Sequence, residues 1–130
     1  MATLNATLTL ASTDLSSDTL SMTVTDSLTV VSPIVNISKI TATTTGGDNI
    51  IVPNVDSPRY VYLKHTGLNS AGSTSGTDKV VVETADGTQI MELKITEFAF
   101  FPFYAGGAGK LQLQTSANTV QVEYAFFTRG

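Results

Sequence analysis

His65 is the single histidine of this 130-residue chain, and cysteine is absent. Thiolate catalysis, thiolate zinc sites and disulfides therefore drop out together, and a Ser–His mechanism would need an acid partner that the spacing does not suggest. His65 is expected as a residue at the end of a strand. Asp14, Asp18 and Asp26 could jointly offer oxygens to a calcium ion, but their spacing matches no ligand loop. Aspartate is common at β-turns, and turn positions are expected here. Glu97 and Glu123 are read as a strand-start and an outward-facing residue rather than as an acid–base pair. The run Ala105-Gly106-Gly107-Ala108-Gly109-Lys110-Leu111 has the composition of a phosphate-binding loop. Tyr104 stands at its first glycine position, Leu111 at its Ser/Thr position, and strand-like sequence follows where a helix is required, so a tight or bulged connection is expected. No enzyme, cofactor or metal site is expected.

The elements that would position these residues read as strands. Leu4, Ala6, Leu8 and Leu10 alternate with Asn5, Thr7 and Thr9, the period-2 pattern of a half-buried strand. The pattern restarts as Leu20, Met22 and Val24, and continues as Leu28 and Val30 beyond a bulge or turn expected at Asp26-Ser27. Pro33 is expected to interrupt, with a further strand over Val35–Thr44 ended by Gly46-Gly47-Asp48-Asn49. Ile50–Val52 reads as a short edge or crossover strand stopped by Pro53, and Arg59–His65 as a strand rich in aromatic and β-branched residues. The loop from Thr66 to Asp78 carries few apolar anchors and is expected to be the most mobile segment. Asp86-Gly87 signals a two-residue type I′ hairpin that pairs Val82 with Met91 and Val80 with Leu93. Its other face, Val81, Glu83, Ile90 and Glu92, is expected to meet solvent or a partner.

The last third, Glu97 to Phe127, holds all six phenylalanines. Phe98 and Phe100 are expected on one face of their strand, with Ala99 and Phe101 on the other until Pro102 ends the pairing. In the next strand Leu111 and Leu113 point inward, and Gln112 and Gln114 outward. In the last strand Val120, Val122, Tyr124 and Phe126 share a face, which leaves Phe127 on the opposite one. Phe101 and Phe127 are thus expected on the opposite face, covered either by a neighbouring copy or, where the strands twist or bulge, within the subunit; in the first case they form the candidate subunit interface with Phe103, Tyr104, Leu4 and Leu8.

Composition bounds the partners. Net charge is −4, and the seven basic residues are scattered without a patch, which argues against nucleic acid. Charged residues are 14% of the chain against roughly 25% in ordinary soluble domains, as expected where neighbours cover much of the surface. No apolar run approaches the roughly 20 residues of a membrane-spanning helix, and no membrane partner is expected. The N-terminus lacks the basic and apolar regions of a signal peptide. The expected fold is a single all-β domain over residues 1–130, an antiparallel β-sandwich or jelly roll of eight to ten short strands, with residues 1–12 as an arm or strand in subunit contacts.

The motifs Glu97–Phe103 (EFAFFPF), Leu111–Thr115 (LQLQT) and Val120–Ala125 (VQVEYA), with the Thr/Ser/Leu-rich start, resemble small β-sandwich virion proteins of tailed bacteriophages. The resemblance covers about the last forty residues at the level of motifs and the remainder in composition. It implies a non-enzymatic, homo-oligomeric structural protein of the virion, assembled in the host cytoplasm. A decoration or cement role on the major capsid protein is its first implication. A tail adaptor, fibre or receptor-binding module is the second, with Tyr60, Tyr62 or Tyr104 stacking on a host glycan beside the Thr66–Asp78 loop.

Overall fold

The computed structural model describes residues 1–53, 57–104 and 110–130. The reading of the glycine-rich run over Ala105–Gly109 falls outside these residues. The described residues form strands β1 (Ala2–Ser12), β2 (Leu20–Ala42), β3 (Ile50–Val52), β4 (Arg59–His65), β5 (Val80–Thr84), β6 (Gln89–Leu93), β7 (Phe98–Phe103), β8 (Leu111–Thr115) and β9 (Val120–Arg129), with a 3₁₀ turn at Gly46–Asp48. The protein is all-β and its strands lie in two antiparallel sheets, as alternation had indicated. Contacts divide the chain into two compact units, Met1–Val31 with Arg129–Gly130, and Ser32–Thr128.

The first unit is a long hairpin. β1 pairs with the first part of β2 in unbroken register from Ala2↔Val30 to Ser12↔Leu20. The bulge expected at Asp26-Ser27 does not form, because both residues stay in register opposite Ala6 and Asn5. Their polar groups are satisfied locally: Asp26 Oδ1 accepts from the Ser27 amide at 2.8 Å, and Ser27 Oγ donates to Asn5 Oδ1 at 2.9 Å. One face carries hydroxyl pairs, Thr7–Thr25 at 3.2 Å and Thr9–Thr23 at 3.4 Å. The other sets Leu4, Leu8 and Leu10 opposite Leu28, Val24 and Met22. Nor does Pro33 end a strand, since β2 runs through it to Ala42.

In the second unit, two sheets with the orders β2-β9-β4-β7 and β3-β8-β5-β6 form the sandwich. β4 alternates without a break, burying Arg59, Val61, Leu63 and His65. Val61 and Leu63 meet Val122 and Phe126 of β9, Val80 and Val82 of β5, and Leu111 and Leu113 of β8 in one apolar core with Ala42, Ile51 and Val52. This is the period-2 logic of two inner faces interdigitating. β3 is the short edge strand expected of a segment stopped by proline.

The β5–β6 hairpin has the expected pairs Val80↔Leu93 and Val82↔Met91. Its turn differs from the expected type I′. The register shifts after Val82, to Glu83↔Gln89, and Gly87 is the turn residue with positive φ, at 84°. The Gly87 amide donates to Thr84 O and the Thr84 amide to Thr88 O, both at 3.0 Å. That is the three-residue loop with a glycine bulge. Asp86 holds it, accepting from Thr84 Oγ1 at 2.6 Å and from the Thr88 amide at 3.1 Å. A side chain that bonds its own turn this way replaces the need for positive φ at the aspartate.

Glu83 also departs from expectation. It lies on the predicted outer face of the hairpin yet is buried, because β8 pairs along β5 and places Gln112 directly opposite. Gln112 Nε2 donates to Glu83 Oε1 at 2.7 Å, and buried Gly46 lies so close that a Cβ there would overlap the carboxylate. The Thr66–Asp78 loop is tied by its own bonds. The Asn69 amide donates to Ser73 O at 2.8 Å, the Ser75 amide to Gly67 O at 2.9 Å, and the Gln121 amide of β9 to Leu68 O at 2.7 Å.

Candidate functional site

β7 pairs with β4 as Arg59↔Phe103, Val61↔Phe101 and Leu63↔Ala99 on the core face, and as Tyr60↔Pro102, Tyr62↔Phe100 and Lys64↔Phe98 on the outer one. This reverses the expected facing. Phe101 and Phe103 pack against the core, with their rings edge-to-face at 6.5 Å. Phe98 and Phe100 point out and are 63% and 42% exposed. The motif FAFFPF has phenylalanine at both parities, so its own alternation leaves the facing open. The neighbouring strand decides it, because Val61 and Leu63 are inward and carry their partners with them.

The outer face of β4, β7 and β9 is accordingly an aromatic surface. Tyr60 stacks on Phe100 with centroids 6.2 Å apart and planes inclined by 15°. On its other flank Tyr60 is opposite Phe127, which takes the outward position expected for it and is half-buried. Tyr104, just past β7, is exposed. Tyr62 donates to Glu123 Oε1 at 2.8 Å. Burial, and then the hydrogen bond and negative charge of Glu123, push the phenol up to about 12. Glu97 lies elsewhere in hydrogen bonding: its Oε2 accepts from the Lys94 amide at 2.7 Å. The two glutamates are thus engaged separately. In the first unit, Leu4 is half-buried and Leu8 is 45% exposed on the apolar face of the hairpin.

The residues singled out for chemistry have structural partners. His65 is fully buried at the end of β4. Its Nδ1 accepts from the Gly67 amide at 2.9 Å, which leaves Nε2 to donate to Asp78 O at 2.9 Å. Both nitrogens of one neutral tautomer are used, and the ring fastens the Thr66–Asp78 loop to the sandwich. Asp14 accepts from Ser12 Oγ at 2.9 Å in the β1–β2 connection. Among the described residues no three His, Cys, Asp or Glu side chains converge as metal ligands would.

Sequence reasoning missed buried Arg59. Its guanidinium lies 5.7 Å from the Phe126 ring centroid and donates to Ser57 O at 3.1 Å, and desolvation lowers its pKa. A basic residue within alternating apolar positions was the available signal, since the planar Arg guanidinium stacks well on an aromatic face.

An open polar cleft of 540 Å³ lies at one end of the second unit, lined among others by Thr43, Asn69, Ser75, Asp78, Asn118 and Thr119. The Asp78 carboxylate accepts from Asn118 Nδ2 at 3.1 Å and from Ser116 Oγ at 3.4 Å. Tyr60, Tyr62 and Tyr104 are not among its lining residues.

No protein-family model, no characterised protein and no solved structure matches this chain.

Proposed function

We propose that this protein is a non-enzymatic structural component of a tailed-phage virion, a decoration protein attached to the major capsid protein of the outer shell. The observation that carries the reading is the outward aromatic pair Phe98 and Phe100 on β7, extended by Tyr60 on β4. An outward phenylalanine gains about 1.5–3 kcal/mol by area when a neighbour covers it, before ordering costs. On a symmetric shell, many such contacts act together and need not be individually strong. The sandwich fold and the EFAFFPF, LQLQT and VQVEYA motifs agree with the same reading.

The test is a reconstruction of the virion together with a binding assay on expanded shells. Hundreds of copies on the shell, with Phe98→Ser/Phe100→Ser losing attachment at an unchanged melting temperature, is the expected result. A small multiple of three or six copies near one vertex would sink the decoration role.

That outcome leads to the second reading, a tail module that binds a host glycan. The polar cleft favours it, because hydroxyls, carboxamides and a carboxylate suit a polyol. A glycan array on which Asn118→Ala removes the signal would establish it, and a blank array would remove it.

A further inference from the structure

We infer that β1 is a self-pairing edge, and that two copies of this chain join β1 to β1 antiparallel about a two-fold axis at Thr7. The inference goes beyond the virion reading and needs only a second copy of the chain.

β1 pairs with β2 along one side, and no described strand pairs with the other. It is eleven residues long, ATLNATLTLAS, with no charge, proline or glycine. An exposed edge strand presents a row of free N–H and C=O groups, and proteins usually blunt it with charges, proline, bulges or shortness. The other edge strands do show such devices. β3 has three residues, β7 carries Pro102, and β6 holds Glu92 in an ion pair with Lys79 at 3.4 Å. β1 has none of these, and its register with β2 contains no bulge.

A second copy of the strand fits this edge, and Thr7 is the midpoint of Ala2–Ser12. Centred on Thr7, antiparallel pairing sets Leu4 opposite Leu10, Ala6 opposite Leu8, Asn5 opposite Thr9 and Thr3 opposite Ala11. Even-numbered residues meet even-numbered ones, so the apolar and hydroxyl faces each continue across the junction. Leu4, Leu8, Leu10, Met22, Val24 and Leu28 of both copies then share one face across the junction. Leu8, Leu10, Met22 and Val24 remain 38–53% exposed in the single chain. An isologous two-fold contact also closes on itself and does not propagate into a fibre.

The test uses the full chain. Sedimentation equilibrium over about two decades of concentration should give a monomer–dimer equilibrium, and Leu8→Lys should raise its Kd at least about tenfold. The absence of native cysteine allows a register test. On a two-fold axis only residue 7 faces itself, so Thr7→Cys should oxidise to a covalent dimer while Thr9→Cys, facing Asn5, stays reduced. A chain monomeric throughout, a dimer indifferent to Leu8→Lys, or Thr9→Cys cross-linking as readily as Thr7→Cys would each overturn the inference.

Discussion

Gly46 shows how one atom constrains the second unit. It is buried beneath the Glu83 carboxylate, and an added Cβ would overlap Glu83 Oε1 and approach Gln112 Nε2 to 3.0 Å. Neighbouring Gly47 has nothing within 4 Å of the same added atom. Gly46→Ala should therefore cost roughly 1–3 kcal/mol through overpacking, while Gly47→Ala leaves stability within about 0.5 kcal/mol. Urea denaturation of both variants measures the contrast, and equal midpoints would show that the glycine is not needed for this approach. At the same scale, both ring nitrogens of His65 are bonded to backbone groups of the loop it fastens.

At the scale of elements, β7 and the β5–β6 turn carry the predictions. Phe101 packs on the core and Phe98 stands outside it. Phe101→Ala should destabilise by roughly 3 kcal/mol, toward the low end of phenylalanine truncations because the ring is only partly buried, and Phe98→Ala by less than about 0.5 kcal/mol. The reverse order in thermal or urea melts would restore the opposite facing of the strand. In the turn, the Thr84 hydroxyl and then the Thr88 amide hold the Asp86 carboxyl down to about 2. Because its folded pKa lies below the ordinary value near 3.9, its contribution is present above that value and is lost as pH falls through about 2. A carbon-detected NMR titration should find that midpoint, and Thr84→Val should return it upward. An Asp86 midpoint already near 3.9 in the parent protein would refute the bonded turn.

For the whole molecule, the two units predict two levels of protection. The second unit surrounds its core with two sheets, and most of its successive strands lie in opposite sheets. The first unit is a hairpin with half-exposed side chains on one face and hydroxyl pairs on the other. Opening free energies follow buried apolar contact. Amides of β4 and β9 should exchange at the global unfolding limit, and those of β1 orders of magnitude faster in dilute protein. Exchange in β1 should slow as concentration rises if its edge pairs with a second copy. Uniform protection across both units would contradict the division.

Period-2 alternation located most of the strands, because one buried face forces every second residue to be apolar, but not the continuity of β2 through Asp26-Ser27 and Pro33. The aromatic and β-branched run Arg59–His65 and the segment Ile50–Val52 stopped by Pro53 match their observed bounds, and the Asp86-Gly87 signal led to the pairs Val80↔Leu93 and Val82↔Met91. Local chemistry such as the Asp86 side chain bonding its own turn then changed the loop type without moving those pairs. What alternation could not settle was facing where both parities are apolar, as at Phe98–Phe101, or burial where a third strand covers an outer position, as at Glu83. Those were decided by β4 beside β7 and by β8 beside β5, neighbours distant in the chain, because a strand's face is defined only by the sheet it joins.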